Sequence, residues 1–137
     1  MLLIPQPQKI EWNGQKYRLT GNSGGLIHRI SAKLPAVPIN MVEAYTLTIS
    51  ADSAVLTATS PVGIFRGLQT VRQLSFEDNG VQYLAGCSIT DWPAFKIRGF
   101  MQDAGRNFMP LPLLKEQIDV MAAYKYNLFH FHLTVKN

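Results

Sequence analysis

Two histidines near the end of the chain have the spacing of a possible metal site. His130 and His132 are separated by one residue, so on a strand both side chains would point to the same face. A zinc site normally has a third protein ligand, and the remaining histidine, His28, lies far away in the sequence. We therefore expect no metal and no cofactor, and we interpret the two histidines as polar groups near a strand end.

Charged side chains accompany a second apolar stretch, from Ile97 to Gln102. Arg98 lies inside this stretch, and an arginine on an apolar strand needs a carboxylate or a hydroxyl-rich ligand to offset its desolvation. Asp103 and Arg106 fall in the turn that follows. They could take part in a binding site, or they could form an ion pair that fixes the loop, and their spacing favours neither interpretation.

The sequence has no other pattern of catalytic side chains. No pair of acids stands at a predicted strand end for general acid and base catalysis, and no Ser-His-Asp, Cys-His or phosphate-binding glycine pattern occurs. Gly63 and Gly67 fall within a predicted helix, where close packing explains them. Cys87, the only cysteine, excludes an internal disulfide, and we expect it to be a buried small side chain.

The first two thirds of the chain, residues 1–92, have the pattern of a small α+β domain. Alternating apolar and polar residues predict strands, and Ser60 followed by Pro61 predicts a helix that covers one face of an antiparallel sheet. Leu26 to Leu34 fits neither period, so helix and strand both stay open. The predicted elements are a hairpin of Lys9–Trp12 and Lys16–Thr20 around Asn13-Gly14, a loop at residues 22–25, a linker between Pro35 and Pro38, antiparallel strands at residues 43–50 and 54–59, a helix from Pro61 to about Ser75, and a strand from Val81 to Thr90. The predicted buried faces are Ile64, Phe65, Leu68, Val71 and Leu74 of the helix, and Tyr83, Ala85, Cys87 and Ile89 of the last strand.

Residues 93–137 have the pattern of a single β-α-β unit. The predicted elements are a strand from Ile97 to Gln102, a helix from about Pro110 to Tyr124 with Leu114, Ile118, Met121 and Ala122 as its buried stripe, and a strand from Leu128 to Thr134. Such units belong to parallel sheets whose faces are covered, and a (β/α)8 barrel built from them typically has roughly 250 residues. We therefore expect the first unit of an incomplete TIM barrel, whose exposed strand edges and apolar helix faces would drive self-association.

Several motifs in one order resemble the β-N-acetylhexosaminidases of glycoside hydrolase family 20. The run from Ile89 to Thr134 is similar to the start of their catalytic barrel, and the part upstream is similar to the small non-catalytic domain that precedes it. The resemblance is weakest from Gly21 to Val42. Its motifs are Ile4-Pro5-Gln6-Pro7, Glu43-Ala44-Tyr45-Thr46-Leu47, Gly63-Ile64-Phe65-Arg66-Gly67-Leu68-Gln69-Thr70, Asp91-Trp92-Pro93, Arg98-Gly99-Phe100-Met101-Gln102-Asp103 with Arg106-Asn107-Phe108, Met121-Ala122-Ala123-Tyr124-Lys125-Tyr126-Asn127, and His130-Phe131-His132-Leu133-Thr134.

The resemblance implies removal of terminal β-linked N-acetylhexosamine with retention, in which the acetamido oxygen of the substrate is the nucleophile. An Asp-Glu pair further along the family's barrel orients the acetamido group and supplies the general acid and base, and it is absent from these residues. The resemblance assigns ring-hydroxyl binding to Arg98, with Asp103, Arg106 and His132 in support. We therefore expect a fragment that is inactive alone, from a parent that binds a carbohydrate with terminal N-acetylhexosamine.

One departure from the family pattern occurs at the end of the chain. Family members usually continue the His-Leu-Thr motif with two aspartates that organise the pocket, and here Val135-Lys136 take their place. Two interpretations stay open: a paralogue that has lost activity, or a truncated gene whose last residues leave the family sequence.

Composition narrows the remaining classes of partner. The formal net charge is +4, but the lysines and arginines are scattered along the sequence, whereas nucleic-acid-binding surfaces cluster them. Nucleic-acid binding is therefore the weaker alternative.

Met1 to Pro5 has no basic n-region and is too short for a signal peptide or a membrane span. The chain as written would stay in the cytoplasm without membrane contact, whereas the family resemblance suggests a periplasmic, secreted or lysosomal parent.

Overall fold

The computed structural model describes residues 1–19, 25–34, 37 and 41–133 of the 137. The chain forms two compact units, Met1–Ala94 and Phe95–Asn137. No helix in the described ranges is long and apolar enough to cross a membrane. The predicted linker between Pro35 and Pro38, and most of the predicted loop at residues 22–25, lie outside the described residues.

The first unit is a six-stranded sheet with one helix against it. The strand order is β1-β6-β3-β4-β2, and β5 pairs with β6. Every pairing is antiparallel except that of β2 with β4, which is parallel. The segment whose sequence fits neither period therefore contains an edge strand. The elements are β1 (Lys9–Arg18), β2 (Ile27–Ile30), β3 (Tyr45–Ile49), β4 (Ala54–Ala58), α1 (Pro61–Leu74), β5 (Ser75–Asp78) and β6 (Val81–Asp91).

The predicted N-terminal hairpin is wrong, because β1 is one continuous strand with a bulge. Trp12 lies opposite Cys87 and Lys16 lies opposite Ala85, so three residues of β1 face a single residue of β6. Gly14 supplies the positive φ of +72° that the Asn-Gly pair predicted, but the backbone uses it for the bulge rather than for a chain reversal. The Asn13 side chain donates a hydrogen bond to the Ile49 carbonyl at 2.8 Å, which anchors the bulge.

The helix α1 packs on the sheet through small residues and through most of the predicted apolar stripe, because Leu74 is fully buried and Ile64, Leu68 and Val71 pack against the core. Ser60 caps it by accepting hydrogen bonds from the backbone of Val62 and Gly63. A Cβ added to Gly63 would lie 2.5 Å from the Ala44 carbonyl oxygen, and one added to Gly67 would meet the Leu56 side chain. Phe65, predicted to be buried, is 44% exposed, because these glycines turn the neighbouring face of the helix to the sheet.

The core of this unit lies between α1 and the sheet. The predicted buried face of β6 holds for Cys87 and Ile89, but before Gly86 the buried residue is Leu84 rather than Tyr83 or Ala85. This change of face occurs beside the bulge of β1. Cys87 is a fully buried small side chain, as predicted, and this burial raises the pKa of its thiol to about 11. The largest fully buried side chains are Tyr45, Leu47, Ile49, Leu56, Thr70, Leu74, Leu84, Cys87 and Ile89.

The second unit is the predicted β-α-β unit. It consists of β7 (Gly99–Asp103), α2 (Leu111–Ala123) and β8 (Leu128–His132). The two strands pair in parallel, with Met101 opposite His130 and Asp103 opposite His132. Thr134, the predicted end of the second strand, lies outside the described residues. The α+β class and the barrel-type β-α-β unit are therefore both present.

The helix α2 buries less of its predicted stripe than expected. Met121 is buried, whereas Ile118 is 46% exposed, because two strands offer a narrow surface for a helix to cover. β7 begins at Gly99, two residues later than predicted, and this places Arg98 outside the strand.

Candidate active site

The C-terminal ends of β7 and β8 bring Asp103 and His132 together. They are the last residues of their strands and lie opposite each other in the parallel register. The Nδ1 atom of His132 lies 3.2 Å from Oδ1 of Asp103, and the backbone amide of Ala104 donates to the His132 carbonyl at 2.9 Å. The parallel pairing thus places an acid and a histidine side by side at one end of the unit.

The Asp103 carboxylate also organises the loop after β7. Its Oδ1 accepts hydrogen bonds from the amides of Gly105 at 2.9 Å and Arg106 at 3.3 Å. The Asp103–Arg106 ion pair, one of the two interpretations left open by the sequence, exists at 4.0 Å. The Arg106 side chain is 81% exposed, and such surface pairs contribute little to stability. The loop is therefore fixed mainly by hydrogen bonds from the backbone.

The electrostatic balance at Asp103 favours its charged form. Desolvation, the largest single influence, raises its pKa, but the contact with His132, the amides of Gly105 and Arg106, and the charge of a protonated His132 together lower it. The net result is a pKa below the ordinary value. Asp103 is therefore a carboxylate at neutral pH and can only accept hydrogen bonds.

The Nδ1 atom of His132 is buried without a well-formed hydrogen bond. Within the ranges described above it has no aligned partner, although Oδ1 of Asp103 lies within donor–acceptor distance. The distance between Nδ1 and Oδ1 is short enough for a hydrogen bond, so it is the direction of the N–H bond that is unfavourable. His130, which the sequence placed on the same face of the strand, is exposed. Among the described residues no group of three His, Cys, Asp or Glu side chains could hold a metal ion.

Arg98 lies at the opposite, N-terminal end of the two strands. The prediction that it lies inside an apolar strand is wrong, because it precedes Gly99, the first residue of β7. Its Nε donates to the Lys125 carbonyl and its Nη1 to the Phe95 carbonyl, each at 2.8 Å. Backbone carbonyls thus offset part of its desolvation. The structure brings Asp103, Arg106 and His132 together, and it does not bring Arg98 to them.

Asn127 and Lys125 form hydrogen bonds at this N-terminal end of the strands, although we predicted no role for them from the sequence. Oδ1 of Asn127 accepts from the Arg98 amide at 2.9 Å, and Nδ2 donates to the Lys96 carbonyl at 2.8 Å. Lys125 has a positive φ of 61° and is buried. An asparagine between a helix and a strand can bond backbone groups on both sides, and this pattern could have identified Asn127.

The first unit also contains a buried cluster of polar side chains that we did not predict from the sequence. The Tyr45 hydroxyl lies 2.7 Å from the Thr70 hydroxyl and donates to Oδ2 of Asp91 at 2.9 Å. Burial first, and then the charge of Asp91, raise the pKa of Tyr45 well above its usual value. Oδ1 of Asp91 accepts from the Gln8 amide at 3.2 Å. The cluster ties the last residue of β6 to β3, to α1 and to the segment before β1.

Comparisons with known proteins cover both units. Residues 95–137 match the model of the glycosyl hydrolase family 20 catalytic domain, and residues 28–92 match that of domain 2 of the same family. The chain is 40% identical to a beta-hexosaminidase of Akkermansia muciniphila over 133 residues, which are 96% of this chain and 25% of that protein. It is 35% identical to beta-hexosaminidase subunit alpha of Rattus norvegicus over 121 residues, 87% of this chain and 23% of that protein.

Solved structures give the same result. A family 20 beta-N-acetylglucosaminidase superposes with a TM-score of 0.81 at 30% identity, over 95% of this chain and 30% of that one. The exo beta-N-acetylglucosaminidase of Vibrio harveyi, solved in complex with N-acetylglucosamine, gives 0.83 at 27% identity, over 96% of this chain and 25% of that one. The chain spans about a quarter of the length of the curated relatives named above. With both family 20 models matched in the family's own order, the chain belongs to glycoside hydrolase family 20.

Proposed function

We propose that residues 1–92 are the small non-catalytic domain, and residues 93–137 the start of the catalytic barrel, of a β-N-acetylhexosaminidase. The protein that contains this chain would remove terminal β-linked N-acetylhexosamine by substrate-assisted hydrolysis with retention. The family matches and the names of the relatives support this activity. The bound N-acetylglucosamine of the Vibrio harveyi relative supports the substrate class.

The observation that carries the proposal is the parallel pairing of β7 and β8 with polar groups at their C-terminal ends. Barrel enzymes place their active sites at that end of the strands, and Asp103, Arg106 and His132 lie there. Hydroxyl binding by Arg98 stays a prediction. In this arrangement its Nε and Nη1 donate to backbone carbonyls, so a contact to ring hydroxyls through these two atoms would require those hydrogen bonds to be released.

Residues 1–137 should show no turnover alone. The acetamido oxygen attacks only when an acid protonates the leaving oxygen, and the Asp-Glu pair that performs this work in the family does not occur in the sequence. The purified chain should therefore release no chromophore from 4-nitrophenyl N-acetyl-β-glucosaminide. Measurable turnover by this chain would contradict the assignment of roles.

A domain exchange tests the proposal positively. The matched residues of the Akkermansia muciniphila relative, 40% identical over 133 residues, are replaced by residues 1–134 of this chain, so that the relative's own residues and not Val135-Lys136 follow Thr134. Hydrolysis of the same substrate is then measured. We expect a folded, active chimera, because the exchanged part supplies the same domain and the same first barrel unit. A folded chimera without activity would contradict the proposal, and the unmodified relative serves as the control.

A second function, self-association, is favoured by the exposed apolar surface of the second unit. Isolated apolar side chains are normal on a surface, but a large group of them marks an interaction site. The large apolar residues exposed on β7, α2 and β8 are Phe100, Met101, Leu111, Leu113, Ile118, Val120 and Leu128. We propose that a second copy of the chain covers these side chains.

Sedimentation velocity over a range of concentrations tests this association. The wild-type chain should show a rising average mass, and Ile118→Lys should reduce it because the substitution places a charge on the exposed face of α2. Val62→Lys, at a comparably exposed apolar position on α1, is the matched control and should leave the association unchanged. A monomer at every concentration would contradict self-association.

A further inference from the structure

We propose that Asp103 is a positioning residue that fixes the tautomer of His132, so that the neutral histidine presents Nε2 as a hydrogen-bond acceptor for a hydroxyl group. The two residues end neighbouring parallel strands at the end of the unit where barrel enzymes bind substrate. The tautomer follows from this chain alone. The identity of the hydroxyl donor, a hydroxyl of the terminal sugar, rests on the proposed function.

The first step concerns which ring nitrogen carries the proton. Nδ1 of His132 faces Oδ1 of Asp103 at 3.2 Å, and an ionised carboxylate can only accept. Nδ1 is also buried, with no aligned partner in the part of the chain that the structure describes. A lone pair on Nδ1 would therefore face a negative charge at close range, whereas a proton there is attracted to it. The neutral ring consequently holds its proton on Nδ1.

The second step concerns what the ring offers on its other side. The His132 side chain is 39% exposed although its Nδ1 is buried, so its exposed surface lies on atoms other than Nδ1. We infer that Nε2 is among them, because it lies on the side of the ring away from Asp103. With the proton on Nδ1, Nε2 keeps its lone pair and accepts hydrogen bonds. A sugar hydroxyl is a donor that fits this acceptor.

The third step separates a positioning role from simple loop support. Asp103 holds the loop through the amides of Gly105 and Arg106, and an asparagine could still accept those bonds through its Oδ1. The tautomer of His132, in contrast, depends on how strongly Oδ1 attracts a proton on Nδ1, and an uncharged amide oxygen attracts it less than a carboxylate does. Asp103→Asn should therefore leave the loop bonds in place and weaken the preference for a proton on Nδ1.

Nitrogen-15 NMR of the labelled chain tests the tautomer directly. Long-range proton–nitrogen correlations, recorded where the rings are neutral, should show His132 mainly with the proton on Nδ1. His130 on the same strand is the internal control and should show the ordinary preference for a proton on Nε2. Asp103→Asn should shift the tautomer population of His132 toward the pattern of His130, and Asp119→Asn, at an exposed carboxylate on α2, should not. His132 with its proton mainly on Nε2 in the wild-type chain, or a tautomer unchanged by Asp103→Asn, would overturn the proposal.

The sugar contact is tested in the active chimera. Asp103→Asn and His132→Ala should each raise KM by roughly two- to tenfold, the worth of one hydrogen bond, and the double variant should resemble His132→Ala alone. Additive effects would overturn the claim that Asp103 acts through His132. An inactive chimera would remove the proposed function and with it the sugar contact, while the NMR result decides the tautomer separately.

Discussion

At the scale of single residues, the chemistry of this chain concentrates on Asp103. The sequence placed Asp103, Arg106 and His132 near one another through the family resemblance, and the parallel register brings them together. The sequence alone did not show that Arg98 precedes β7, because the start of this strand depends on which backbone carbonyls accept hydrogen bonds from the guanidinium. Those carbonyls come from residues on both sides of α2, and their meeting is a tertiary event that local pattern does not encode.

The lowered pKa of Asp103 predicts a pH dependence of stability. A carboxylate whose folded-state pKa lies below its unfolded value, about 3.9, stabilises the folded state above that value and loses this contribution as the pH falls through the folded-state pKa. Asp103→Asn should therefore unfold at a slightly lower temperature than wild type at pH 7, and the difference should shrink below about pH 4. Thermal unfolding measured from pH 7 to pH 2 checks this. A difference that grows on acidification would contradict the assigned direction.

At the scale of elements, the first unit shows where local pattern succeeds and where it fails. The Ser60-Pro61 start of α1 and the antiparallel pairing of β3 with β4 were predictable, because capping chemistry and alternation act locally. The Asn13-Gly14 pair was misread because positive φ serves a bulge as well as a turn. The pairing of β6 with β1 on both sides of the bulge shows that the Asn13-Gly14 pair forms a bulge and not a turn.

Two glycines of α1 give a matched test of helix–sheet packing. A Cβ at Gly63 would meet backbone, the Ala44 carbonyl, whereas a Cβ at Gly67 would meet side-chain atoms of Leu56 and Tyr45. Gly63→Ala should lower the free energy of unfolding by about 1–3 kcal/mol. Gly67→Ala should cost less, because buried side chains can shift by a few tenths of an ångström more easily than a carbonyl held in the backbone. Urea unfolding of both variants measures the difference, and a Gly63→Ala protein as stable as Gly67→Ala would refute this packing.

At the scale of the whole molecule, the chain consists of two units, and each contains the residues that match one family 20 model. The division was visible in the sequence at Asp91-Trp92-Pro93, where alternating strands give way to a strand, a helix and a strand. The amount of exposed apolar surface on the second unit was harder to predict from the sequence. The burial of Ile118 or Phe100 depends on which elements pack against them and not only on the periodicity of the surrounding residues.

Limited proteolysis tests this division. Phe95 begins the second unit, is 73% exposed and lies in irregular backbone, which is where proteases cut folded chains first. Brief treatment with chymotrypsin should cut after Phe95 and leave a product that ends there and resists further digestion. Mass spectrometry identifies the product. Early cuts within β3, β4 or α1 would contradict a compact first unit.

The central claim is that residues 95–133 form a parallel β-α-β unit, because the placement of the candidate site depends on it. NMR of the labelled chain tests it through contacts between β7 and β8. We expect amide-to-Hα contacts in the parallel register, with Met101 beside His130 and Asp103 beside His132. Close Hα-to-Hα contacts, which mark antiparallel neighbours, between β8 and β7 or between β8 and a strand of the first unit, would contradict it.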